Sequence, residues 1–215
     1  MRLSKRLRCV VDELEGSVSV ADVGADHGKV LVTALLEKKI ERGIATDISE
    51  KSLSKARTLA FEYSVFLDTR VGDGLDVIKD GEVDTLVIAG MGGNEIMRIL
   101  GRSELTFEKL VLVPHRDAPE TRKFIVSRGY AIKKDYKILS EKIFYDIIVA
   151  ERGKGELTKT EIIFGKNDTS NEDFRSYIVK RRAFLESVSD YSGKEAEKKE
   201  LEYITEFFYD GKGNS

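Results

Sequence analysis

"VADVGADHGKV", residues 20–30, is the stretch that decides the fold. An apolar run ends in Asp22 and Val23. Gly24 and Gly28 then bracket Ala25-Asp26-His27, and a helical pattern starts at Lys29. This is a strand that turns tightly into a helix. The first amides of such a helix lack intrahelical acceptors and face the turn, so the turn is a natural ligand seat.

Working outward, the same alternation recurs. Residues 18–23, 43–48, 67–71, 83–89, 109–114 and 144–151 read as short apolar strands. Residues 29–39, 49–63, 94–102 and 118–129 read as helices between them, with Ser49 as an N-cap and Gly129 as a C-terminal stop. The alternation predicts an α/β fold with a doubly wound, mostly parallel sheet. Residues 130–152 hold two strand-like runs with no helix between them, which predicts a terminal antiparallel hairpin.

After Arg152 the composition shifts, so the expected division is 1–152 as the main domain and 153–215 as an appendage. Residues 153–174 read as a connector. Phe174, Tyr177, Ile178, Phe184, Leu185 and Val188 then lie roughly on one helical stripe, Ser192-Gly193 breaks it, and Leu201, Ile204, Phe207 and Phe208 form a second. A small C-terminal helical hairpin is expected.

The chain has 215 residues, 41% of them hydrophobic, enough for one real core and a small addition. Its net charge of −2 excludes a global basic footprint, so any nucleic-acid site must be local. One cysteine, Cys9, excludes a disulfide or a cysteine zinc cluster within one chain and fits a reducing compartment. His27 and His115 with that cysteine make a poor ligand set, and no metal is expected. No signal peptide or membrane span is read, so a cytoplasmic location is expected.

The turn itself discriminates among cofactors. A dinucleotide site uses G-x-G-x-x-G to bring backbone against a pyrophosphate. Here the spacing is Asp22-x-Gly24-x-Asp26-x-Gly28, and two carboxylates repel a pyrophosphate but suit a cation. S-adenosyl-L-methionine carries a sulfonium and an ammonium, and Asp22 would neighbour its amino acid end. Asp47, closing the second strand, is placed for ribose hydroxyls. Asp73, between Gly72 and Gly74, is placed for the adenine amino group. The fourth strand ends in "AGMGG", where the glycines around Met91 let backbone approach a flat group or the methyl donor. The Asn/Asp-Pro-Pro-aromatic motif of many amino-methylating enzymes is missing at this position.

Four pieces, "LSKRL" (3–7), "ADVGADH" (21–27), "GDGLDVI" (72–78) and "IAGMGG" (88–93), resemble the bacterial tRNA adenine-N1 methyltransferases of the TrmK type. The resemblance covers about the first 150 residues. It implies a Rossmann-like class I methyltransferase domain, a C-terminal helical extension, and methylation of N1 of adenine 22 in tRNA. The expected cofactor set is Asp22, Gly24, Asp26, Asp47, Ile48, Asp73, Gly74, Ala89, Gly90 and Met91. Asp26 and His27 are expected to orient the reacting groups, and Lys5, Arg6, Asn94 and His115 to meet substrate. The family tends to carry Leu-Gln-Pro-Asn where this chain reads Leu112-Val113-Pro114-His115, so two amide side chains are replaced. The extension also looks shorter than is typical of the family.

Adenine N1 has a lone pair, so its methylation needs alignment more than acid–base chemistry. The base must be unpaired or flipped out to expose N1. Three basic segments are candidates for an RNA track: Arg2, Lys5, Arg6 and Arg8; Arg122, Lys123, Arg128, Lys133, Lys134 and Lys137 interleaved with Tyr130 and Tyr136; and Lys180-Arg181-Arg182. A methyltransferase of another RNA or of a small molecule, and a non-catalytic binder of cofactor or RNA, remain as alternatives.

Overall fold

Seven strands form one sheet in the computed structural model, which describes residues 1–167, 170–189 and 195–208. They are β1 (Ser19–Val23), β2 (Arg42–Asp47), β3 (Asp68–Val71), β4 (Thr85–Ala89), β5 (Lys109–Val113), β6 (Tyr130–Ser140) and β7 (Ile143–Arg152). Their order is β3-β2-β1-β4-β5-β7-β6. The first five are mutually parallel; β7 runs antiparallel to β5 and pairs with β6 as a hairpin. The expected sheet is therefore borne out, each expected strand lying within a few residues of its observed bounds.

The crossovers are α2 (Lys29–Leu36), α3 (Glu50–Glu62), α4 (Gly93–Gly101) and α5 (Ala118–Ser127), and α1 (Lys5–Asp12) precedes β1. Side chains on a strand alternate in direction, so each central strand feeds two cores. Val20, Val87, Val111 and Val113 pack with Val10, Leu14, Leu31 and Leu53 on one face. Ala21, Leu86, Ile88, Leu110 and Leu112 pack with Ile96, Ile99, Leu100 and Ile125 on the other. The end signals read from sequence operate here. The Ser49 side chain accepts the Ser52 amide at 3.2 Å, and Gly129, left-handed at φ +83°, follows the last turn of α5.

The stretch expected as a connector holds a further helix, α6 (Lys159–Phe164). Its start is a capping box: Thr158 Oγ1 accepts the Glu161 amide and Glu161 accepts the Thr158 amide, at 3.1 and 2.8 Å. That Thr-x-x-Glu pattern was legible in the sequence. Helices α7 (Glu172–Ser189) and α8 (Glu195–Phe208) follow, and Phe164, Phe174, Ile178, Leu185 and Ile204 form their shared buried cluster. Phe184 departs from the expected stripe. It lies at the edge of the apolar face, is half exposed, and stacks under the Arg181 guanidinium at 5.2 Å. The Ser192-Gly193 break and the Phe207 side chain lie outside the described residues.

Two cations of the second basic segment, Arg122 and Lys137, are structural rather than part of a surface track, which corrects the sequence reading for them; Lys123, Arg128, Lys133 and Lys134 are exposed. Arg122 is fully buried on α5. It bonds Asp135 at 2.7 and 3.0 Å, Asp146 at 2.7 Å, and the carbonyls of Ile162 and Ile163 on α6 at 3.1 and 3.2 Å. Lys137, also buried, bonds Asp146 at 2.8 Å. Burial alone would raise the Asp146 carboxyl, but Lys137 and Arg122 outweigh it and hold it below the usual range. Lys134 and Tyr136 both bond Glu13, at 2.8 and 3.0 Å. In the third segment, Arg181 makes a two-pronged pair with Glu200 at 2.8 and 2.7 Å, tying α7 to α8.

Candidate active site

The order reverses between β1 and β4, and a crevice opens at the carboxyl ends of the strands there, where open α/β sheets hold ligands. It has two lobes that share Gly24. The smaller, about 140 Å³, is lined by Arg6, Asp22, Asp26, His27, Lys29 and Ala89 among others. The larger, about 500 Å³, is lined by Asp47, Ile48, Asp73, Gly74, Gly90, Met91, Glu95 and Arg98 among others. All ten residues expected to hold a cofactor therefore line one lobe or the other.

The turn after β1 is spliced onto β2. The amides of Gly24 and Ala25 both donate to the Thr46 carbonyl, at 2.8 and 3.1 Å. Gly24 sits at φ +73°, and a Cβ there would collide with the Met91 methyl group. Glycine is thus favoured by the backbone angle, and any side chain there would require the end of Met91 to move. Two residues beyond Gly24, Asp26 is left-handed at φ +50°, and its amide donates to Asp47 Oδ2 at 3.2 Å. The Ser49 amide donates to Asp47 Oδ1 at 2.8 Å, so the β2 acid is fixed from two sides. The Asp26 carboxylate pairs with His27 Nδ1, and both side chains stand at the mouth, Asp26 exposed and His27 partly buried.

Asp22 is different. It is 4% exposed, and no hydrogen-bond donor among the described residues reaches its carboxylate. Burial, and secondly the neighbouring Asp47 charge, push its pKa up to about 7, with Arg6 pulling the other way. Asp73, by contrast, is paired. Arg102 Nη1 reaches Oδ2 at 2.8 Å and Arg98 Nη2 reaches Oδ1 at 3.2 Å, so Arg102 first and Arg98 second hold its carboxyl below the usual range.

Above the small lobe, three side chains from distant parts of the chain meet. Arg6 Nη1 lies 3.4 Å from His115 Nε2, and its guanidinium stands 5.2 Å from the centre of the Tyr145 ring. His115 meets the same ring edge-on at 5.5 Å, and its amide donates to the Met91 carbonyl at 2.9 Å. Burial, and then the Arg6 charge, lower the His115 pKa, so the imidazole is neutral at pH 7. The remaining expected substrate residues are not part of this cluster. Lys5 bonds Asp173 on α7 at 2.5 Å, and Asn94 lies exposed on the first turn of α4; neither lines a lobe. The sequence reading missed Tyr145, Glu95, Arg98 and Arg102. Tyr145 sits in a strand pattern with nothing local to mark it, and the two arginines read as an ordinary solvated helix face.

Among the described residues no group of three His, Cys, Asp or Glu is placed to hold a metal, and no helix is long and apolar enough to cross a membrane.

A family model described as a methyltransferase domain matches residues 3–148, well over half of the chain. The chain belongs to this family. The expected resemblance to TrmK-type proteins is borne out as well. Over 158 residues the chain is 34% identical to the Bacillus subtilis tRNA (adenine(22)-N(1))-methyltransferase, a match spanning 71% of this chain and 66% of that one, just under two thirds of its length. The solved structure of B. subtilis TrmK, an m1A22 tRNA methyltransferase, superposes with a TM-score of 0.75 at 28% identity, covering 95% of each chain. M. capricolum TrmK, solved with S-adenosyl-homocysteine, superposes with a TM-score of 0.85 at 23% identity over 96% of this chain and 98% of that one. That likeness shows the fold.

Proposed function

We propose that this methyltransferase uses S-adenosyl-L-methionine to methylate N1 of adenine 22 in tRNA. The observation that carries the cofactor is the buried, donor-less Asp22 carboxylate in a small lobe joined at Gly24 to a wide, glycine-lined one. An unpaired buried carboxylate is costly and calls for a cationic partner. An ammonium answers that need, and a pyrophosphate would aggravate it. When bound, S-adenosyl-L-methionine supplies an electrophilic methyl group. Asp22 then holds the ammonium, Asp47 accepts from ribose hydroxyls, and Asp73 accepts from the adenine amino group. Ala89, Gly90 and Met91 form the wall that the methyl-bearing part passes, while Ile48, exposed at the rim, covers the purine.

The tRNA side rests on the B. subtilis relative and on the rim. An adenine presenting N1 needs no base to deprotonate it, and its product is a cation. A neutral His115 can hydrogen-bond the base edge without adding charge there, and the Tyr145 ring beside it offers an apolar face. Asp26 and His27, at the exposed mouth, orient the incoming nucleotide, and Asp26 offsets the developing positive charge. Lys29 and Arg116, exposed beside the crevice, together with Arg2, meet phosphates. Residues 1–152 act as the cofactor domain, with 153–215 as an appended helical unit. The setting is the cytoplasm, where tRNA is modified.

Reverse transcription across tRNA incubated with the protein and S-adenosyl-L-methionine tests this reading. A methyl on N1 blocks the pairing edge, so a new cofactor-dependent stop at adenine 22 is expected. Tight cofactor binding with no new stop in any tRNA would overturn the substrate.

A further inference from the structure

The loop that carries Asp73 is fastened to α4 in a way that the cofactor reading alone does not require. Gly74 is left-handed at φ +63°, and a Cβ on it would lie 3.1 Å from Ile99 Cγ2 and 3.3 Å from Arg102 Nη2. The loop therefore lies directly on the helix, with Thr46 Oγ1 holding the Gly74 carbonyl from the β2 side at 3.3 Å. Arg102 ties it at three points: the Asp73 carboxylate at 2.8 Å, the Asp73 carbonyl at 2.5 Å and the Asp76 carboxylate at 3.3 Å. Arg98 adds a fourth tie at Asp73 Oδ1, and is itself held by Glu95 at 2.6 and 3.0 Å.

A carboxylate has about four lone-pair directions, and the two arginines take one on each oxygen. The others stay available toward the large lobe, which Asp73, Glu95 and Arg98 all line. A free carboxylate rotates and reads an amine and a water equally well. One fixed by two guanidinium groups presents its remaining lone pairs in set directions, which is how a site gains selectivity from a hydrogen bond.

We propose that Arg102 and Arg98 are positioning residues that fix the Asp73 carboxylate so that the large lobe selects a 6-amino purine over a 6-oxo purine. This rests on the S-adenosyl-L-methionine reading above and goes beyond it, because it assigns the selectivity to α4 rather than to Asp73 alone. Arg102 makes the larger contribution, since it binds both the side chain and the backbone of the acid.

The test is calorimetric binding of S-adenosyl-homocysteine and of S-inosyl-homocysteine, which differs by an oxo group in place of the amino group. Wild type should prefer the amino ligand by about tenfold or more, the worth of a hydrogen bond to a charged group. Arg102→Ala should lose most of that preference by weakening the amino ligand, with the inosyl ligand changed by no more than about twofold. Arg98→Ala should lose less, and Arg102→Lys should recover part. Equal weakening of both ligands by Arg102→Ala would mean a merely structural tie and would overturn the proposal. So would an unchanged preference, or tighter binding of the amino ligand, which would make the arginines competitors for Asp73. Failure of the wild type to bind either ligand would instead overturn the cofactor reading, and the proposal with it.

Discussion

Replacing Asp22 by Asn probes the most unusual group in the molecule. Its carboxyl titrates near pH 7 rather than 3.8, because it is buried and faces the Asp47 charge. The folded pKa lies above the unfolded one, so folding favours the protonated form. The ligand-free protein is therefore most favoured below pH 3.8 with respect to this group, loses stability as pH rises toward 7, and has lost it fully above. Raising the carboxyl from 3.8 to about 7 corresponds to a penalty on the order of 4 kcal/mol. Asn has the same shape without the charge, so ligand-free Asp22→Asn should melt above the wild type at pH 8, with the gap closing as pH falls toward 4. Cofactor binding should show the reverse dependence. An ammonium needs the ionised carboxylate, so wild-type affinity for S-adenosyl-homocysteine should fall about tenfold from pH 8 to pH 6, with about half a proton released at pH 7. Titration calorimetry in buffers of different ionisation enthalpy reads both. Asp22→Asn should bind about 10- to 100-fold more weakly at pH 8, without that pH slope. Adenosine, which has no ammonium, should bind both proteins alike. A wild-type affinity that is flat from pH 6 to 8, or a variant that keeps the slope, would refute the reasoning.

Gly24→Ala should cost about 1 kcal/mol of stability for its left-handed backbone, by thermal melting, and lower cofactor affinity through the shift it forces on the Met91 side chain, which lines the large lobe; adding Met91→Ala should restore part of the affinity. Arg122→Ala should destabilise by about 3–5 kcal/mol in chemical denaturation, because it leaves Asp135 and Asp146 buried with only Lys137 between them, and a loss under about 1 kcal/mol would mean the network is dispensable. Asp173→Ala removes the partner of Lys5 and of the Leu139 amide; it should cost no more than about 1–2 kcal/mol and leave S-adenosyl-homocysteine affinity unchanged, measured by melting and calorimetry.

Most of the sheet and the acids of the cofactor crevice were legible in the sequence because both are written locally. A short, nearly continuous apolar run marks a strand buried on two faces; Asp22 and Asp47 lie at the ends of such runs, and Asp26 and Asp73 in the turns just beyond them. Gly129 and Ser49 act as read, and even the overlooked α6 carries its Thr158–Glu161 signature in four consecutive residues. What a side chain meets across the fold is not written in that way. Arg122 and Lys137 look like solvated cations in sequence, but the β6–β7 hairpin and α6 enclose them. Arg6, His115 and Tyr145 are brought together from α1, the loop after β5 and strand β7.

The sequence by itself determined the architecture and the acids that line the crevice, because backbone periodicity and turn chemistry act between near neighbours. Only the tertiary structure decided which charges are free. It left Asp22 buried with no donor, clasped Asp73 between two arginines, spent Arg122 on the core, and set a neutral histidine beside Arg6. Charge state depends on burial and on partners across the fold, and both exist only once distant segments have packed.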